Sequence, residues 1–161
     1  MSRMKVGVVG CGHLGAIHAR LLAARPDVEL VGVVDPSLES RTRVAEAHGC
    51  RSFESPRDLV GAVDAAVVAA PTGLHAAVSL PLLEAGIDLL VEKPIAATVE
   101  DARAIVIAAR RHGRVVVSAM SSGSIRPGGW PSSGRAVWWR WRPLGRHPSR
   151  SARWMSAWCS I

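Results

Sequence analysis

Gly10-Cys11-Gly12-His13-Leu14-Gly15, with Asp35 twenty residues beyond Gly15, carries the first chemical signal in the chain. A phosphate group reaches a backbone only where no side chain intervenes, and a G-x-G-x-x-G spacing provides such a place. Gly10 permits a tight turn, Gly12 removes the side chain that would hold a pyrophosphate away, and Gly15 lets a helix lie close to the preceding strand. The helix beginning there offers free N–H groups and the positive end of its dipole, with His13 directed at the phosphates and Leu14 beside them. Asp35 stands where a carboxylate accepts hydrogen bonds from a ribose. This is the chemistry of dinucleotide binding. A carboxylate at that point repels the extra phosphate of NADP and so favours NAD; Arg41 and Arg43 soften that preference without reversing it.

Such a constellation needs a strand before it, a helix after it and a second strand ending in the acid. Lys5 to Val9 is short, β-branched and apolar, as a strand buried on both faces should be. Leu14 to Ala24 carries an apolar stripe of Leu14, Ile17, Leu21 and Leu22 and stops at Arg25-Pro26-Asp27. Val28 to Val34 is the second strand. Ser37 to His48 is a polar helix closed by Gly49, and Cys50 to Phe53 a short third strand. Ser55 caps a brief helix with Pro56 at its first position. Asp64 to Ala70, rich in Ala and Val, is a central fourth strand. A helix follows Pro71-Thr72-Gly73-Leu74-His75 and runs to Gly86. Ile87 to Val91 is the fifth strand and ends in Glu92-Lys93-Pro94. Thr98 caps Val99 to His112, with acids in the first turn and arginines in the last. Gly113 closes that helix, and Arg114 to Ser118 is the sixth strand. Strands alternating with such helices predict an α/β fold: a doubly wound parallel sheet of the Rossmann type over residues 1–118.

Composition splits the chain. Residues 1–118 hold 13 Lys+Arg and 13 Asp+Glu, so this body is neutral. Residues 119–161 hold seven Arg, no Lys, no acid and all six Trp, and so carry the whole formal charge of +7. Three cysteines without a CxxC spacing argue against a disulfide framework or a zinc site, and no metal is expected. Cys11, inside the glycine turn, reads as a packing residue rather than a reactive thiol. The absence of a signal region and of a membrane-length apolar run fits a reducing cytoplasm.

Three features together resemble the Gfo/Idh/MocA family, the glucose-fructose oxidoreductase and inositol dehydrogenase group: the glycine turn with Asp35, Pro71-Thr72-Gly73-Leu74-His75, and Glu92-Lys93-Pro94. The resemblance covers about residues 4–118, the family's nucleotide-binding domain. It implies hydride transfer between NAD or NADP and a sugar, cyclitol or similar small molecule. It also implies that Lys93 polarises the substrate oxygen beside the nicotinamide, where a buried ammonium would help the hydroxyl proton leave. Thr72, His75 and Glu92 then border the cofactor along the same edge, with a helix cap and a satisfied core histidine as the plain alternatives for Thr72 and His75. His18 reads as structural. Pro94 is a candidate cis proline that aims Lys93 into the cleft. Oligomeric state is left open, because the family's contacts often use its second domain.

The tail departs from the family. Relatives continue through a segment resembling VGHVERFNPA and later DVGVVLDLMIHD, and neither is present. Synonymous codons exist for Ser118 to Pro127 that read GHVERFNP from the third base, and Trp154 to Ile161 treated alike yields DVGVVLD. Residues from about 118 onward therefore read as out-of-frame translation, an irregular stretch following a domain cut off before its substrate-binding part. A nucleic-acid partner for this basic, Trp-bearing tail is disfavoured by its lack of helical or strand period and of any recognised motif. A membrane surface is disfavoured by the lack of an amphipathic stripe.

Overall fold

Short apolar runs separated by helices build a sheet that both faces must cover, and the chain does this in sequence order. The computed structural model describes residues 3–118. Its elements are β1 (Met4–Val9), α1 (His13–Ala23), β2 (Val28–Val34), α2 (Leu38–His48), β3 (Arg51–Phe53), β4 (Ala65–Val68), α3 (His75–Glu84), β5 (Asp88–Val91), α4 (Val99–Arg111) and β6 (Val116–Ser118). The strands pair in parallel, in the order β3-β2-β1-β4-β5-β6. This is the doubly wound arrangement that the alternation predicts, with its switch point between β1 and β4. The readings for residues 119–161 lie outside the described residues.

Side chains alternate across each strand, so consecutive residues feed two cores. Val6, Val8, Val33 and Val67 pack with Ala19 and Leu22 of α1 and Val44 of α2. Val9, Val34, Ala66 and Val68 pack on the other face with Leu82 and Leu83 of α3 and Ile105 of α4. All four residues of β4 are buried, as befits a strand with neighbours on both sides.

Helix ends follow local chemistry. Ser37 Oγ accepts the Ser40 N–H at 3.2 Å, and Thr98 Oγ1 accepts the Asp101 N–H at 3.1 Å. Gly49 closes α2 in the left-handed conformation, φ 61°. The brief helix at Pro56–Leu59 is a 3₁₀ turn held by a reciprocal Ser55–Asp58 capping box. Another 3₁₀ turn, Thr72–Leu74, leads directly into α3.

One expectation is corrected. Of the stripe Leu14, Ile17, Leu21 and Leu22, only Leu22 is fully buried and Leu14 is exposed; Gly15, His18 and Ala19 make up the rest of the inner face of α1. Gly15 must face the sheet for α1 to approach it, which turns Leu14 outward to 48% exposure.

Candidate functional site

The order β2-β1-β4-β5 lines up four strand ends along one edge: Asp35 after β2, the glycine turn after β1, Thr72 and His75 after β4, and Glu92-Lys93 after β5. Three inter-strand steps separate the first from the last, roughly 14 Å. Backbone bonds register these ends: Gly10 N–H to Val34 O at 2.8 Å, Ala69 N–H to Val9 O at 2.8 Å and Glu92 N–H to Val68 O at 2.9 Å.

The glycines answer different needs. Gly10 has φ +98°, and a Cβ there would meet Ala69 O at 2.6 Å. A Cβ on Gly15 would lie 1.7 Å from Gly10 O, so turn and helix interlock with no room for a side chain. A Cβ on Gly12 would meet nothing within 4 Å. That open side coincides with the start of α1, where Gly12 is an N-cap without a side-chain hydrogen bond and the first turn holds no acid. His13 and Leu14 are exposed beside it. Bare N–H groups at an open helix start fit a phosphate.

Asp35 ties the glycine turn to the start of α2. Its Oδ2 accepts the Cys11 N–H at 2.8 Å and its Oδ1 accepts the Ser37 N–H at 2.9 Å. Each carboxylate oxygen has a second lone pair for a hydroxyl donor. Arg41 is largely committed elsewhere: Nη1 donates to Asp35 O and Pro36 O at 3.0 and 2.9 Å, and Nη2 lies 3.6 Å from Glu54 Oε2. Arg43 is exposed. Cys11 is fully buried, with Sγ 3.7 Å from Val34 O. Burial, then the Asp35 charge, push its thiol up to about 12, so it is a packing group and no nucleophile.

At the other end, Glu92 is 8% exposed and its Oε1 lies 2.6 Å from Nε2 of His18, itself 8% exposed. The second oxygen, Oε2, accepts the Lys93 N–H at 3.2 Å. One carboxylate thus joins α1 to the backbone of Lys93. His18 had no functional signal of its own in the sequence, although its spacing from Gly15, Ala19 and Leu22 marks the inner face. The Lys93–Pro94 peptide bond is cis. Lys93 itself is exposed, which corrects the expectation of a buried ammonium: β5 ends at the open edge, and no described carboxylate pairs with the amine. Thr72 is half-buried at the start of its 3₁₀ turn. His75 is 1% exposed and turned into the protein, bonded to backbone carbonyls. Among the described residues no group of His, Cys, Asp or Glu could hold a metal ion.

The family model of oxidoreductases with an NAD-binding Rossmann fold matches residues 4–120. The chain belongs to this family. Within it, the UDP-N-acetylglucosamine 3-dehydrogenase of Acidithiobacillus ferrooxidans is 40% identical over 113 residues, covering 70% of this chain and 36% of that protein. Inositol 2-dehydrogenase of Rubrobacter xylanophilus is 39% identical over 118 residues, covering 71% of this chain and 34% of the relative. The WlbA dehydrogenase of Bordetella pertussis, solved with NADH and UDP-GlcNAcA, superposes with a TM-score of 0.69 at 30% identity, over 73% of this chain and 37% of that one. The chain thus spans about a third of the length of the curated relatives it matches. Among the described residues no helix is long and apolar enough to cross a membrane.

Proposed function

We propose that residues 1–118 are the NAD-binding domain of a dehydrogenase acting on a CH–OH group of a sugar, cyclitol or nucleotide sugar. The observation that carries this reading is the alignment of the open, uncapped start of α1 with Asp35 on one side and Lys93 on the other, along a single sheet edge. Gly12, His13, Leu14 and the α1 N–H groups hold the phosphates, and Asp35 accepts from the adenosine ribose. Thr72 borders the nicotinamide half. A bound nicotinamide supplies the hydride acceptor. Lys93 then holds the substrate oxygen as a charged hydrogen-bond donor, lowering the cost of charge on that oxygen while its proton leaves.

NAD is the preferred cofactor on this reading. Its support is the Asp35 carboxylate and the commitment of Arg41, which leaves little free guanidinium for an added phosphate. Fluorescence titration of the chain should give an NADH affinity at least about tenfold above that for NADPH, near 1.4 kcal/mol. Equal affinities would defeat this assignment.

The substrate-orienting residues of the family lie beyond this domain, and the tail from about residue 119 is read as out of frame. Purified 161-residue chain is accordingly expected to bind NAD with little or no turnover. Steady NAD reduction with a sugar or inositol would refute that reading. DNA sequence across the codons for Val115 to Pro127 tests the frame directly: a one- or two-base shift there should restore GHVERFNP.

A further inference from the structure

A histidine and a glutamate buried against each other need one hydrogen between them, whichever of the two carries it. His18 and Glu92 are both buried, and Nε2 approaches Oε1 to 2.6 Å, short for a nitrogen–oxygen contact. Two bare lone pairs at that distance would repel. Either the ring N–H donates to the carboxylate, or a carboxyl O–H donates to the ring, and a single hydrogen is enough in both cases. Burying these groups is costly, and two apolar side chains would fill the same space without that cost. Stability alone gives no reason for the pair.

What it holds is the main chain at Lys93. The Glu92 N–H donates to Val68 O at 2.9 Å, so the sheet fixes the backbone of Glu92. Strand β5 ends at Val91, and Lys93 lies past its last pairing with β4. The Glu92 side chain carries the order one residue further, because its Oε2 accepts the Lys93 N–H at 3.2 Å. His18 in turn fixes that carboxylate from α1, one turn beyond Gly15 on the face against the sheet. Lys93 is thereby referenced to the same helix whose open start faces the phosphates. We infer that His18 is a positioning residue for Lys93, acting through Glu92. Both carboxylate oxygens are engaged inside the protein, so Glu92 serves the main chain of the lysine rather than bordering the cofactor. The catalytic meaning rests on the proposed role of Lys93, while the contact stands on the geometry.

The test is amide hydrogen exchange in the ¹⁵N-labelled full chain. In the parent the Lys93 N–H should be protected; free exchange there would overturn the inference before any variant is made. His18→Leu keeps the bulk and removes the hydrogen bond, so Lys93 should exchange about tenfold faster or more. Ala69, on the same sheet edge with its N–H on Val9 O, is the internal control and should stay within about twofold. His18→Gln offers an amide nitrogen or oxygen in place of Nε2 and should return Lys93 to within about twofold of the parent. Equal acceleration at both amides, no acceleration at Lys93 in folded His18→Leu, or a failure of His18→Gln to rescue would each overturn it. Should His18→Leu not fold, the double variant His18→Leu/Glu92→Leu, which buries no lone carboxylate, is read in the same way. Absence of NADH binding by the parent chain would defeat the proposed function and leave the exchange pattern intact, so the two readings fail separately.

Discussion

Two helices leave the same sheet edge and begin in opposite ways. After β5, α4 starts on Thr98, whose hydroxyl accepts a first-turn N–H, with Glu100 and Asp101 adding negative charge to the positive end of the dipole. After β1, α1 starts on Gly12 with no side-chain acceptor and no acid. The first completes itself; the second leaves its donors for something that arrives from outside. An isolated helix gains from the first arrangement, so the second is explained by what it can bind rather than by what it stabilises. The opposite sheet edge follows the pattern of α4: Asp64 Oδ2 accepts the Lys5 N–H, and Asp88 Oδ1 accepts the Val115 N–H.

The strongest way to break this contrast is Gly15→Ala. Its Cβ would sit 1.7 Å from Gly10 O, a backbone obstacle that no rotamer avoids. Denaturant unfolding should show a loss of about 2 kcal/mol or more, against the gain of up to about 1 kcal/mol that alanine normally brings to a helix. NAD titration should show no saturable binding.

Gly12→Asp would instead give α1 the start that α4 has. The backbone there is extended, φ −69° and ψ −166°, with open space around a new Cβ. Stability should hold or rise by a few tenths of a kcal/mol, roughly the difference between glycine and a capping acid. NADH affinity should fall about 100-fold, because a carboxylate then faces the phosphates. Undiminished binding in this variant would place the pyrophosphate elsewhere.

A smaller effect concerns Cys11. Its thiol titrates near 12 in the fold against 9.0 for a free thiol, so the folded chain holds this proton after the unfolded chain has lost it. The stability it contributes is whole below about pH 9 and is lost as pH rises from 9 towards 12, by on the order of 1 kcal/mol per pH unit. Urea midpoints measured over that range should fall less steeply in Cys11→Ala than in the parent chain.

Smallest is Thr98→Ala, which removes the cap of α4 and should cost roughly 0.5–1 kcal/mol by thermal or urea unfolding. NADH affinity should not change, which would set the two helix starts apart as one structural and one ligand-directed.

The sequence made the sheet and the glycine turn at its edge legible because both are written locally. Val28–Val34 and Ala65–Val68 are buried runs, and the glycine spacing falls where β1 must turn into α1. The faces of helices were less legible. In α1 the large residues Leu14 and Leu21 draw the eye, yet the surface against the sheet is small, with Gly15 and Ala19 allowing close approach and His18 between them. The His18–Glu92 pair spans 74 residues and has no periodic signature; it exists only once β5 lies near α1. His75 likewise looks like an edge residue in the sequence, and only the packing of α3 against the β5 loop turns its ring inward.

The Asp35–Cys11 bond has a consequence for anyone redesigning cofactor choice. On the proposed reading of Asp35 as the ribose acceptor, exchanging it for a small neutral residue is the direct route towards tolerating an extra ribose phosphate. Here it would also release the glycine turn from its anchor at Cys11 and free the start of α2 at Ser37. A workable redesign would keep an acceptor at position 35, as Asn does, and add positive charge beside the exposed Arg43 rather than recruit the committed Arg41.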